Sequence, residues 1–210
     1  MANQRIQQLA LRKRENIRKL EGQIDEPLVI QPPDVNLLFT LEELGYLLSD
    51  LIGLKSPTDD RGRILDVRPK GMWFELQIAQ RLGYSKSPKS GAFPDLRHQL
   101  IEAKHHVGKR VTIDFGRHHP GSDDVVPGSW NVELKVKENE IRYIIALAPP
   151  PRYQITTMII STGAQIMNSF GVPLTQTIKY QMGIPEKWRS ENNGKVIVGT
   201  EVYNDDANST

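Results

Sequence analysis

The sequence has 210 residues, no cysteine and a nearly balanced charge, with 27 lysine and arginine residues against 25 aspartate and glutamate residues. The absence of cysteine from this sequence excludes disulfides, thiolate metal sites and cysteine nucleophiles, and it is typical of a reducing cytoplasm. No apolar run approaches the ~20 residues of a membrane span, so we expect no membrane partner. The length predicts one or two domains, and we expect the protein to be cytoplasmic.

The N-terminal part of the chain is basic and has the spacing of a helix. Residues 1–20 carry six basic residues and one acidic residue. Apolar residues recur at helical intervals over 3–21, without the continuous apolar stretch of a secretory signal. We therefore predict a basic helical N-terminal arm over 1–30 and a separate domain over 31–210.

Two further helices are predicted before the chain turns to strands. The segment Thr40-Leu41-Glu42-Glu43 is a capping box and begins a helix that ends near Gly53. Another helix is predicted over 70–82, ended by Gly83. In this helix Glu75 falls within the arc of apolar side chains. A buried carboxylate needs a partner, because burying it alone costs several kcal/mol. Glu75 therefore has a function, pairs with an arginine, or lies where the apolar arc faces solvent at its edge.

From residue 93 onward, alternating β-branched and aromatic residues predict strands. A helix is predicted over 162–170. Helices before and between strands indicate a domain of the α/β (α+β) class. The two segments 131–137 and 140–148 are separated by a short polar turn, which predicts a hairpin between them. The predicted strands cover 99–105, 111–115, 131–137, 140–148, 153–161 and 195–203.

Three charged residues in one short segment form the most informative pattern. In a strand Glu102 and Lys104 project from the same face, and a tight turn over 96–98 would return Asp95 beside Glu102. Two converging carboxylates repel each other unless a proton or a cation lies between them. Mg²⁺ suits such a pair because it prefers hard oxygen ligands and keeps several waters. Lys104 would then orient or help to deprotonate an attacking water and stabilise charge on a phosphate.

A second set of residues has a similar spacing and remains an alternative. Glu133-Leu134-Lys135 lies in a predicted strand, and Asp124 precedes it. The same residues also fit an exposed hairpin face with alternating charges. We favour the first set because Asp95 follows a proline and because the acidic helix that carries Glu75 comes just before it.

The centre of the chain is basic and contains all five histidines, which suggests a polyanionic partner such as DNA or RNA. Adjacent histidines in a strand point to opposite faces, so neither His-His pair readily supplies two ligands to one ion. We interpret these residues as polar groups near a phosphate-binding face, with His106 on the face of Glu102 and Lys104. The candidate DNA contacts are His106, Lys109, Arg110, Arg117, His118 and His119.

The pattern Pro94-Asp95, six residues, then Glu102-Ala103-Lys104 resembles the signature of the PD-(D/E)XK nuclease superfamily. The segment that follows, including Val-Thr-Ile-Asp-Phe-Gly at 111–116, is similar to type II restriction endonucleases, and the resemblance extends over about 70–188. It implies a mixed β-sheet flanked by helices, a restriction-endonuclease-like core. It also implies Mg²⁺-dependent, sequence-specific hydrolysis of double-stranded DNA to 5′-phosphate and 3′-hydroxyl ends.

The resemblance also implies roles for individual residues. Asp95 and Glu102 would bind Mg²⁺ with the Ala103 carbonyl, Lys104 would act on the attacking water, and Glu75 would support the metal or Lys104. A homodimer is expected, because two sites related by a two-fold axis suit palindromic DNA. Two alternatives remain: a repair or recombination nuclease that nicks DNA, and a DNA-binding protein on an inactive nuclease core.

Overall fold

The computed structural model describes residues 2–86, 93–126, 135–176 and 179–203. These residues form helices packed on two β-sheets, which confirms the predicted mixed class. None of the helices in these ranges is long and apolar enough to cross a lipid bilayer. The α-helices are α1 (Ala2–Glu21), α2 (Leu41–Leu48), α3 (Val67–Leu82), α4 (Gly163–Phe170) and α5 (Glu186–Glu191).

The strands divide into a larger and a smaller sheet. In the larger sheet the order is β1-β3-β4-β7-β8, and in the smaller antiparallel sheet it is β2-β6-β5. β1 pairs with β3 in parallel and leaves its other side as a sheet edge. The strands are β1 (Ile101–His106), β2 (Val111–Gly116), β3 (Arg142–Leu147), β4 (Thr157–Thr162), β5 (Leu174–Gln176), β6 (Lys179–Ile184), β7 (Lys195–Val198) and β8 (Glu201–Val202).

The basic N-terminal helix packs on the body of the protein. Ala10 and Ile17 of α1 are fully buried in the same apolar cluster as α2 and α3. The Lys13 Nζ lies 2.7 Å from Oε2 of Glu43, a buried residue of α2. Glu43 also completes the predicted capping box, since its backbone N–H donates to the Thr40 hydroxyl at 3.2 Å. Burial of the apolar side chains of α1, more than the charge of this helix, holds α1 against α2 and α3.

α3 ends at Gly83, as predicted, and this glycine lies against α1. Its φ of 102° is in the left-handed region, where a side chain is strained. A Cβ at Gly83 would lie 2.5 Å from the backbone oxygen of Arg14. The absence of a side chain at this position therefore lets α3 end in close contact with α1.

The larger sheet separates two apolar clusters, and the alternation of β3 shows how. Ile144 and Ala146 pack with α1, α2 and α3 on one face. Tyr143, Ile145 and Leu147 pack with the smaller sheet on the other. Because both faces are covered, β3 is apolar along almost its whole length, as expected for a central strand. β1 lies beside β3 at the edge, between α3 on one face and β2 on the other.

The predicted hairpin between 131–137 and 140–148 is wrong in the part that the structure describes. β3 pairs with β1 and β4, whereas Val136 accepts a backbone hydrogen bond from Val126 at 2.9 Å. A 3-10 helix at Glu138–Glu140 separates the two segments and turns the chain. Central pairing buries β3 on both faces, which a two-stranded hairpin would not do. Residues 131–134 lie outside the described residues.

Other element predictions are confirmed with shifted boundaries, and some elements were missed. The predicted strand over 195–203 divides into β7 and β8 at Gly199, which has a φ of 63°. The helix predicted over 162–170 is α4, capped by Thr162. No prediction was made for β5, β6 or α5. β6 could have been predicted from the alternation of apolar residues that places Met182 and Ile184, both 4% exposed, on one face of a strand.

Candidate active site

The candidate site lies at the free edge of β1, where the preceding segment folds back. Leu96 N–H donates to the Ile101 carbonyl at 2.9 Å, and Ile101 N–H donates to the Leu96 carbonyl at 3.1 Å. Between them Arg97–Gln99 forms a 3-10 turn, and Leu100 leaves it with a positive φ of 56°. This is the tight turn predicted over 96–98. It places the residue before Leu96 alongside β1.

The turn brings Asp95 and Glu102 together, as its position in the sequence predicted. Asp95 N–H donates to Glu102 Oε2 at 3.2 Å, and Ala103 N–H donates to Asp95 Oδ2 at 2.8 Å. The Ala103 N–H is thus directed to the sheet edge and away from β3. Since the N–H and C=O of one residue point to the same side of a strand, the Ala103 carbonyl faces this edge as well.

Lys104 is held by the same carboxylate that approaches Asp95. Its Nζ donates to Glu102 Oε1 at 2.6 Å, and the two side chains are 26% and 9% exposed. Burial by itself lowers the pKa of Lys104, but the adjacent Glu102 and then Asp95 outweigh it and raise that pKa above its ordinary value. Lys104 is therefore an ammonium group that donates into the site.

Glu75 of α3 approaches this group from the helical face of β1. It is partly buried and lines one cavity with Asp95, Glu102 and Lys104. Within the described ranges no hydrogen bond or ion pair to Glu75 is found, so the alternative of a pairing arginine has no support there. Burial, followed by the negative charge of Glu102, raises the pKa of Glu75.

The three carboxylates form an electrostatically strained group that a cation would relieve. Burial and the charges of Glu102 and Glu75 raise the pKa of Asp95 well above its ordinary value. In the described part of the chain no group of three histidine, aspartate or glutamate side chains is arranged to hold a metal ion. Mg²⁺ does not need such a cluster, because one or two carboxylates, waters and substrate phosphates suffice. Asp95, Glu102 and the Ala103 carbonyl fit that requirement.

The cavity has a volume of about 530 Å³ and opens between α3, β1 and β2. Two predicted DNA contacts, His106 and His118, lie on its wall. His106 Nε2 lies 2.7 Å from the Arg110 carbonyl, to which it donates. Burial lowers the pKa of His106. Sequence reasoning missed Asp114 of β2, which lines the same cavity and forms an ion pair with Lys179 at 3.2 Å.

The other predicted DNA contacts lie outside the cavity. Lys109 and Arg110 are exposed in the turn between β1 and β2, and Arg117 is exposed just after β2. The ring of His119 packs edge-on against Tyr180, with centroids 4.8 Å apart. Of the six predicted contacts, two therefore line the cavity and four lie outside it.

The alternative set of residues is only partly described. Asp124 and Lys135 are exposed and are not among the residues that line the cavity. Glu133 lies outside the described residues. The structure thus brings together Asp95, Glu102, Lys104 and Glu75, and it places the described members of the alternative set elsewhere.

A buried glutamate beside the cavity was missed by sequence reasoning. Glu138 is 8% exposed, accepts from His118 Nδ1 at 2.9 Å and accepts from the backbone N–H of His119 at 2.6 Å. In the sequence Glu138 lies in a short polar turn, where neither strand nor helix periodicity predicts that it is buried. Its partners are some twenty residues away along the chain, so only the folded structure reveals them.

Comparisons of this chain with protein-family models, with curated proteins and with solved structures found no match in any of the three.

Proposed function

We propose that this protein is a Mg²⁺-dependent endonuclease that cleaves double-stranded DNA at specific sequences, as type II restriction endonucleases do. The observation that supports it most directly is the convergence of Asp95 and Glu102 in one cavity, with the Lys104 ammonium 2.6 Å from Glu102. A carboxylate pair with an adjacent lysine can hold a divalent cation and a phosphate at the same place.

The residues assigned to the metal are Asp95, Glu102 and the carbonyl of Ala103. When bound, Mg²⁺ would neutralise phosphate charge and make a coordinated water more acidic. Deprotonated Asp95 is needed to hold the ion, so binding must overcome the raised pKa of this carboxyl group. Glu75 lines the same cavity from α3 and contributes negative charge there, with no direct ion pair among the described residues.

Lys104 stabilises charge on the phosphate and orients the attacking water. Its ammonium, fixed by Glu102, stabilises the negative charge that develops on phosphate oxygens during in-line attack. The attack leaves a 5′-phosphate and a 3′-hydroxyl. Lys109, Arg110 and Arg117, which are exposed around the cavity, supply contacts to backbone phosphates. Such contacts position the duplex, whereas base-edge contacts in the grooves provide the sequence specificity.

A homodimer is part of the proposal, because one cavity cleaves one strand and a double-strand break needs two. Size-exclusion chromatography with light scattering on DNA-bound protein tests it. Two protomers on each duplex are expected, and one protomer on each cleaved duplex would contradict the dimer.

The decisive experiment is digestion of a long DNA of known sequence with Mg²⁺ and with EDTA, followed by sequencing of the ends. Double-strand breaks at one recurring sequence, only with Mg²⁺, are the expected result. Nicks confined to branched or hemimethylated substrates would indicate a repair or recombination nuclease. Specific binding without cleavage at any Mg²⁺ concentration would indicate a DNA-binding protein on an inactive nuclease core.

A further inference from the structure

A carboxylate and an imidazole form a fixed pair at the wall of the candidate active site. Glu138 Oε1 lies 2.9 Å from His118 Nδ1, and Glu138 Oε2 accepts from the His119 backbone N–H at 2.6 Å. Both oxygens of this buried carboxylate are therefore used. Because a carboxylate only accepts, Nδ1 of His118 carries the hydrogen, and Nε2 has the lone pair when the ring is neutral.

The ring of His118 is also fixed by stacking. Phe93 lies parallel to it, with ring centroids 3.5 Å apart and an angle of 3° between the planes. Phe93 precedes Pro94-Asp95, so the same segment that carries the metal-binding carboxylate also packs on the imidazole. One ring face lies against Phe93 and Nδ1 is bound to Glu138, whereas Nε2 has no hydrogen-bond partner among the described residues and His118 lines the cavity.

The turn that carries this pair is supported from behind by α4. Gly163, the first residue of α4, lies so close to the Pro120 carbonyl that a Cβ would come within 2.0 Å of its oxygen, and within 3.1 Å of the Glu138 carbonyl oxygen. The absence of a side chain at Gly163 lets both segments pack together. The segments that carry the pair are thus packed against α4, and such support suits a catalytic group.

His118 shares the cavity with the groups of the proposed nuclease site. The charged residues around that cavity are Glu75 from α3, Asp95, Glu102 and Lys104 along β1, and Asp114 from β2. His118 therefore lines the same cavity as the carboxylates that would hold Mg²⁺ and its coordinated water. In the described residues His118 is the one imidazole of this cavity that a carboxylate holds.

We propose that His118 is the general base of the reaction and that Glu138 is its positioning residue. This inference rests on the proposed nuclease function. Nε2 of His118 takes a proton from the attacking water as its oxygen bonds to phosphorus. The P–O3′ bond breaks with its electron pair on O3′, which takes a proton from solvent. Glu138 holds the hydrogen on Nδ1 and stabilises the imidazolium that forms.

The alternatives in the cavity are less suited to accept that proton. Lys104 donates to Glu102 as an ammonium and in that state has no lone pair. His106 donates from Nε2 to the Arg110 carbonyl, and no carboxylate in the described ranges orients it. In the Glu138–His118 pair a buried carboxylate instead orients the imidazole, as in catalytic triads, where the imidazole is the general base.

The test is a single-turnover pH–rate profile with Mg²⁺ on one DNA that the wild-type protein cleaves. Mg²⁺ is kept at a concentration that saturates the protein at every pH, so that the ionisation of Asp95 does not limit the rate, and the wild-type rate is then expected to rise with pH through one ionisation. His118→Gln should lower the rate by ~10²–10⁴-fold and remove this ionisation from the profile. Glu138→Gln should lower the rate by about 10–100-fold. The double variant should be no slower than His118→Gln, because Glu138 acts through His118.

Matched measurements separate catalysis from folding. Glu140→Gln changes an exposed glutamate of the same 3-10 helix and should retain the wild-type profile. His106→Gln, whatever its rate, should retain the ionisation. Added imidazole should restore part of the activity of His118→Ala, which a structural role would not permit.

The outcomes distinguish the two proposals. If wild-type protein cleaves no DNA with Mg²⁺, the nuclease proposal itself fails. If wild type cleaves and His118→Gln keeps its rate, the nuclease remains and the general base is overturned. The general base is also overturned if His118→Gln is slow with an unchanged pH ionisation, or if imidazole fails to restore His118→Ala.

Discussion

The side chains of β1 alternate between two faces of the strand, and these two faces have different surroundings and different roles. Ile101 and Ala103 pack against the helices, and His105 stacks on Phe74 with ring centroids 5.4 Å apart. On the other face, Glu102 and Lys104 form the ion pair of the cavity. The helical face is made for stability, whereas the cavity face retains buried charge that costs stability.

This difference shows how a sheet edge can hold reactive groups. A central strand such as β3 is covered on both sides and both faces, so a charge within it would need to be buried completely. β1 has a covered face that fixes its position and an edge where a second segment delivers Asp95. Changes on the cavity face should therefore affect catalysis, and changes on the helical face should affect folding.

The largest expected effect is on cleavage by Asp95→Asn. The amide oxygen can still accept from Ala103 N–H, but the charge that holds the cation is lost. Cleavage should fall by at least about 10³-fold in a single-turnover assay, while specific DNA binding without metal remains. Asp124→Asn is the matched control at an exposed aspartate and should cleave like wild type. Full activity of Asp95→Asn would remove this residue from the site.

The opposite result is expected for Ile101→Ala on the helical face. Ile101 is fully buried, and truncation of such a side chain costs about 2–5 kcal/mol. The free energy of unfolding measured with urea should fall by that amount. Cleavage at a temperature where the variant remains folded should stay within a few-fold of wild type. A stable but inactive variant would show that the two faces are not separate.

A smaller effect concerns the pH dependence of stability. Burial, then the charge of Lys70, lowers the pKa of His105 to about 4, and burial lowers that of His98 to about 4. Unfolded histidine titrates near pH ~6.5, so the unfolded chain takes up protons first as pH falls. Stability is therefore complete above that pH and is lost toward pH 4, by about 1.4 kcal/mol per pH unit for each histidine. His105→Gln should reduce this slope by the contribution of one histidine, measured as the free energy of unfolding in urea titrations between pH 6 and pH 4.5. An unchanged slope would mean that His105 is not buried in its neutral form.

The smallest effect is expected from Mg²⁺ without DNA. The raised pKa of Asp95 means that the metal-free protein loses stability as pH rises above the ordinary range of the carboxyl group toward its folded pKa. At the proposed site Mg²⁺ would bind the deprotonated form, so about 10 mM of the ion should raise the melting temperature by a few degrees, more at pH 8 than at pH 6. Asp95→Asn should show no such increase. An equal increase in both proteins would place the ion elsewhere.

The sequence predicted the parts of this molecule that depend on short spacings. Glu102 and Lys104 follow from strand alternation, Glu75 from helical periodicity, and the capping box at Thr40 from residues three apart. The return of Asp95 also depends on a local turn. The core of the site was therefore predictable because a few adjacent residues determine it.

The parts that were missed depend on contacts between distant segments. The parallel pairing of β1 with β3 joins residues about forty positions apart, and no local pattern distinguishes it from a hairpin. The pair of Glu138 with His118 depends on a 3-10 turn that lies beside the turn after β2. The contact of Gly163 with Pro120 is likewise a property of the folded chain alone.

The backbone bridge between Leu96 and Ile101 has a consequence for self-association. An uncovered edge strand offers free N–H and C=O groups to a strand of another molecule and promotes aggregation. Here the returning segment occupies those groups of Ile101, and Asp95 occupies the next N–H, that of Ala103. The segment that carries Asp95 thus also blocks intermolecular strand addition at this edge, so variants that displace it should precipitate.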